Sequence, residues 1–164
     1  MINRIVHMNV VVTDIEKSLK FYCDLLGGHI VGGAEKEAVI KRKTESSGVG
    51  IALGLGETAE WKACLLRFGY DKEATVIDLL QWTKPASTGR PYEKLNNVGI
   101  ARMALAVDDV DKTYHDLKSK GVEFISPPRE VDLSPETPGQ GLIRIVVCKD
   151  PDGTAVEFVE FIQP

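Results

Sequence analysis

The sequence predicts an α+β chain built from two βαβββ modules, and three observations carry that expectation. Val12-Thr13-Asp14-Ile15-Glu16-Lys17-Ser18 recurs 95 positions later as Val107-Asp108-Asp109-Val110-Asp111-Lys112-Thr113. The same offset lays Arg102 on His7 and Met103 on Met8. Near the end of each module, Thr75-Val76-Ile77-Asp78-Leu79 matches Thr154-Ala155-Val156-Glu157-Phe158. A module this short leaves a concave face unfilled, so pairing two of them is physically sensible. The expected division is 1–82 for the first module, 83–99 for a linker and 100–164 for the second.

In the first module, Ile5 to Val12 alternates as a strand, with Val6, Met8, Val10 and Val12 on one face and His7, Asn9 and Val11 on the other. Thr13 or Asp14 can cap the next helix, whose stripe is Ile15, Leu19, Tyr22 and Leu26, and Gly27-Gly28 ends it. Three strands are expected next: His29 to Val31 with Ala38 to Lys41, then Val49 to Leu55, then Lys62 to Phe68. Thr75 to Trp82 forms another, with Val76, Asp78, Leu80 and Trp82 on one face. Thr83 to Asn97 holds Pro85, Gly89, Pro91 and Asn96-Asn97 and reads as a linker.

The second module starts with a strand at Ile100 to Val107, then a helix with Val110, Tyr114 and Leu117 in its stripe and a stop at Gly121. Val122 to Ile125 reads as a short strand and Ser126 to Gln140 as a loop over a site. Leu142 to Cys148 and Thr154 to Phe161 complete it. Between those two strands Asp150-Pro151-Asp152-Gly153 is a turn. Beyond it Ala155, Glu157, Val159 and Phe161 share a strand face, and an acid in such company is costly unless something pairs with it.

Bulk properties narrow the function classes. Hydrophobic content of 43% and charged content of 27% are those of an ordinary globular protein. A net charge of −4 supplies no basic field for nucleic acid or anionic lipid, and no apolar run approaches membrane-spanning length. Three scattered cysteines, Cys23, Cys64 and Cys148, argue against a disulfide framework and for a reducing, cytoplasmic setting. No Ser, His, Asp or Cys, His arrangement for nucleophilic catalysis stands out.

The chain resembles the vicinal oxygen chelate superfamily, which comprises glyoxalases, bleomycin-resistance proteins and extradiol dioxygenases. The motifs are Ile5-Val6-His7-Met8, Phe21-Tyr22-Cys23-Asp24-Leu25-Leu26-Gly27, Ala106-Val107-Asp108-Asp109, and Asp150-Pro151-Asp152-Gly153 with Val156-Glu157-Phe158. They span essentially the whole chain. The resemblance implies curled mixed sheets enclosing a shared cavity, a small-molecule substrate and a homodimer. In the family's lactoylglutathione lyases the four inward positions carry His, Glu, His and Glu. Here they hold His7, Asp78, Arg102 and Glu157.

What this implies is a divalent ion, Zn, Mg, Mn or Fe, held by His7, Asp78 and Glu157, since the guanidinium of Arg102 has no lone pair to give. Glu157 and Arg102 are the candidate catalytic residues. Arg102, Asn9 and Trp82 are the candidate substrate contacts, although for Trp82, as for Trp61, Tyr92 and Phe68, a place in the core is the favoured reading over the cavity wall. Arg102 reads either as a counter-ion to Glu157 or Asp78, or as a grip on a substrate anion or enolate oxygen. The implied activity is a lyase or isomerase acting on a small carbonyl or enediolate substrate, with ring-cleaving dioxygenation disfavoured. The alternative is a metal-free small-molecule binding or resistance protein in which Arg102 replaces a metal ligand.

Overall fold

A computed structural model describes residues 1–134 and 141–162. It contains two compact units, Met1–Gly89 and Arg90–Pro164. In the first, β1 (His7–Val11) runs into α1 (Ile15–Leu19), which opens on Asp14: its carboxylate accepts the N–H groups of Glu16 and Lys17 at 3.0 and 3.1 Å. A π-helical turn, Lys20–Leu25, extends the helix and buries Phe21 and Tyr22. Gly27, at φ +76°, ends it as the sequence predicts. There follow β2 (His29–Ile30), α2 (Lys36–Lys41), β3 (Thr44–Glu45), α3 (Ser47–Ala52), β4 (Glu60–Arg67) and β5 (Val76–Lys84).

The sheet runs β1-β5-β4-β2, with β3 also paired to β4; β1 lies parallel to β5 and the other pairings are antiparallel. Its core holds Val12, Ile15, Leu19, Tyr22, Val39, Leu66 and Leu79, each 2% exposed or less.

Part of the first expected strand and most of the second are helical, while His29–Ile30 is a strand as expected. Ala38 to Lys41 lies within α2, and most of Val49 to Leu55 within α3 and its end. The alternation of Val49, Ile51 and Leu53 misleads because these side chains do not alternate between core and solvent: all three are 40% exposed or more. Ser46 instead supplies a helix cap, its hydroxyl accepting the Val49 N–H. Gly50 is the buried residue of α3. A Cβ there would stand 2.0 Å from the Gly56 carbonyl oxygen, whereas one at Gly48 would meet nothing nearer than 3.9 Å. Gly50→Ala is therefore expected to cost about 3 kcal/mol, lowering the melting temperature by roughly 10 °C. Gly48→Ala should be neutral or stabilising in the same thermal melt.

In the second unit, β6 (Arg102–Ala106) leads to α4 (Val110–Ser119), capped by Asp109 through the Lys112 N–H at 2.8 Å. Then come β7 (Arg129–Asp132), β8 (Leu142–Lys149) and β9 (Ala155–Ile162), giving a sheet ordered β6-β9-β8-β7 in which only β6 and β9 are parallel. Both sheets are thus mixed, and neither closes into a barrel.

The expected strand at Val122 to Ile125 shrinks to a single bridge, Phe124 to Cys148. The expected loop from Ser126 contains β7, and residues 135–140 lie outside the described part. Among the described residues no helix is long and apolar enough to cross a membrane.

Candidate functional site

The geometry of the second unit follows from the Asp150–Gly153 turn. The Asp150 carboxylate accepts the N–H groups of Asp152 and Thr154 at 3.0 and 2.7 Å, and Gly153 takes φ +99°, which fixes where β9 begins. The parallel register then sets Ala155 beside Arg102 and Glu157 beside Ala104. Arg102 and Glu157 are diagonal neighbours on one face. The short side chain of Ala104 leaves Arg102 free to lean along the sheet. Its Nε donates to Glu157 Oε2 at 2.9 Å. Glu157 is 7% exposed, so a buried carboxylate has its charge answered by a guanidinium that is about half in solvent. Val147 on β8 stands opposite Glu157, and Val159 follows it on the same face.

The first unit repeats this arrangement with different side chains. Parallel pairing sets His7 beside Val76 and Asn9 beside Asp78, so His7 is diagonal to Asp78 as Arg102 is to Glu157. Asn9 Nδ2 donates to Asp78 Oδ2 and to the Asp78 backbone oxygen, both at 3.1 Å. His7 is exposed and Asp78 half-buried on that face. Trp82 lies on the same face, opposite the buried Trp61 at 5.3 Å between ring centroids in an edge-on contact. Within either unit, no three His, Cys, Asp or Glu side chains converge among the described residues.

A third pair of equivalent positions escapes a sequence reading that stops at the inward acids. Gln81 and Glu160 each follow the inward acid by three residues and so face the helix side of the sheet. Gln81 Oε1 accepts the Ile15 N–H at 3.1 Å while its Nε2 donates to Thr13 O at 2.8 Å. Glu160 Oε2 accepts the Val110 N–H at 2.9 Å. These groups lock the start of each helix to the strand that carries the acid. Their signal was the repeat itself, since Ile15 and Val110 are equivalent.

Burial pushes the Cys64 and Cys148 thiols up to about 12 from an ordinary value of 9.0, and burial also raises Cys23. None is a thiolate near neutrality, which removes cysteine from the list of nucleophiles. The same shifts carry a pH dependence. Folded thiols hold their protons longer than unfolded ones, so their contribution is intact below pH 9 and is lost as pH rises from 9 to about 12. Urea unfolding at rising alkaline pH should show that decline, and Cys64→Ala with Cys148→Ala should flatten it.

Comparison with known proteins bears on what such a face does. The family model described as Glyoxalase/Bleomycin resistance protein/Dioxygenase superfamily matches residues 4–158. A Synechocystis sp. protein named probable lactoylglutathione lyase is 27% identical over 156 residues, covering 95% of this chain and 94% of that one. A Vibrio cholerae protein of the same name is 28% identical over 160 residues, covering 96% and 91%. Among solved structures, a glyoxalase family protein from Bacillus cereus superposes with a TM-score of 0.72 at 17% identity over 98% of this chain and 97% of that one. The glyoxalase I of Leishmania major, described as trypanothione-dependent, gives 0.60 at 19% identity over 96% and 86%.

Proposed function

We propose, from the premise that this chain belongs to the Glyoxalase/Bleomycin resistance protein/Dioxygenase superfamily, that it is a glyoxalase-like enzyme of the lyase or isomerase kind. Its substrate would be a small oxygenated molecule that passes between carbonyl and enediolate forms. The observation that carries this reading is the buried Glu157 carboxylate held by Arg102 Nε at 2.9 Å. The two relatives named probable lactoylglutathione lyase give the reaction its direction.

Glu157 takes a proton from the carbon next to the substrate carbonyl and returns it to the neighbouring carbon, so the step is a net isomerisation. Arg102 holds the carboxylate through Nε, which leaves its Nη groups as donors for the oxygen on which charge develops. Asn9 and the rim of Trp82 are the proposed substrate contacts. Assembly as a cytoplasmic homodimer belongs to the same proposal.

His7 and Asp78 in the first unit and Glu157 in the second are the donors this chain would offer the divalent ion implied by the family; among the described residues no three such side chains form a group that could hold a metal ion. The contacts to Asn9 and Arg102 take Asp78 Oδ2 and Glu157 Oε2, leaving the other oxygen of each carboxylate as a donor. When bound, such an ion supplies Lewis-acid polarisation of a substrate oxygen.

A metal-free binding protein is the second reading, favoured by the same ion pair, which already neutralises Glu157. The deciding experiment is formation of lactoylglutathione from glutathione and methylglyoxal by the purified protein, with added divalent ions and with chelator. Turnover above the uncatalysed rate supports the enzyme. Its absence under both conditions, with retained affinity for the adduct, selects the binding protein.

A further inference from the structure

We infer that the first unit contains a binding site for a small planar carboxylate, in which Arg42 grips the carboxylate and Trp61 bears on the flat body of the molecule. This inference shares Asp78 with the reading above and uses neither Arg102 nor Glu157. It begins with a gap in the sheet. The outer edge of β4 is paired to β2 at Leu66 and Arg67 and to β3 at Glu60 and Trp61. Between those short strands lie Lys62 to Leu65, where the edge is met only by isolated contacts. Val31 N–H donates to Leu65 O at 2.8 Å, and Arg42 donates to Ala63 O at 3.3 Å.

Along this gap lies a cavity of about 430 Å³, lined by Val31, Val39, Thr44, Trp61, Ala63 and Leu65. That volume falls within the usual range for small-molecule sites.

Arg42 and Asp78 are the charged residues that line the cavity. The contact to Ala63 O uses one Nη of Arg42, and no described carboxylate forms an ion pair with it. The planar fork therefore keeps donors that match a carboxylate. Asp78 carries the opposite charge, so the cavity has a polarity: an anionic group belongs at Arg42 and is repelled at Asp78. Trp61 is held edge-on by Trp82 and is 9% exposed, which gives the cavity a fixed aromatic wall. A flat ring with a carboxylate satisfies all three features, whereas a cation or a neutral aliphatic molecule satisfies one at most.

Benzoate and its neutral isostere benzamide test this, read by intrinsic fluorescence, because Trp61 lines the cavity and is in contact with Trp82, the other tryptophan of the chain. Benzoate should give a saturable change, with benzamide at least about tenfold weaker on the wild-type protein, as loss of a charge-assisted pair requires. Arg42→Gln should weaken benzoate by a similar factor. Asp78→Asn should tighten it, an opposite sign that general damage to the fold would not produce. Glu157→Gln should bind benzoate as wild type does, so a failure here and a failure of the proposed reaction are separable. No saturable response to millimolar benzoate, equal binding of benzamide, or an Arg42→Gln variant that binds unchanged would overturn the inference. The comparison of benzoate with benzamide needs no variant to fold.

Discussion

Replacing Arg102 by leucine is expected to reduce turnover by about 10²- to 10³-fold and to destabilise the second unit by about 1–2 kcal/mol. Both effects have one origin. Glu157 is buried between Ala104 and Val147, and the Nε hydrogen bond at 2.9 Å is the described contact that answers its charge. Removing the guanidinium leaves a carboxylate with little access to water. The stability loss is kept well below that of a fully buried pair because the Arg102 side chain is 48% exposed and its charge is partly screened. Arg102→Lys separates the two roles. An ammonium restores charge but cannot present Nε and Nη in one plane, so stability should return further than kcat/KM does. Urea unfolding and the lactoylglutathione assay on the two variants check this. Wild-type turnover in Arg102→Leu would remove the guanidinium from the reacting centre.

The parts of this molecule that were legible in its sequence are those written twice. The capped helices after β1 and β6, the acids at Asp78 and Glu157, and the diagonal positions of His7 and Arg102 all follow from matching one half of the chain to the other. The turn at Asp150–Gly153 adds a second, independent marker for β9. What lay in one copy only was harder to read. The segment that contains α2 and α3 has no counterpart among the described residues of the second unit, and its exposed Val49, Ile51 and Leu53 imitate a strand.

Arg42 stood unnoticed for the same reason. It stands between Lys41 and Lys43, past the end of the strand expected at Ala38 to Lys41, where no pattern marks it. Only the gap in the pairing of β4 gives it a place to act. Asn9 was legible as a neighbour of His7 on one face, but its bond to Asp78 depends on the parallel register of β1 with β5, which alternation alone does not specify.

The central claim is that the Glu157 carboxylate moves the proton and that Arg102 holds it ready to do so. Glu157→Gln removes the base and also a carboxylate donor to the divalent ion, so it is assayed with that ion in excess. The amide has the same shape, and its carbonyl oxygen can accept from Arg102 Nε, so the variant should fold and retain affinity for the substrate adduct. General-base catalysis by a positioned carboxylate contributes roughly 10²- to 10⁴-fold. The rate of lactoylglutathione formation by Glu157→Gln should therefore fall by about that factor at a KM within a few-fold of wild type. A Glu157→Gln variant that forms lactoylglutathione as fast as the wild-type protein would contradict the account.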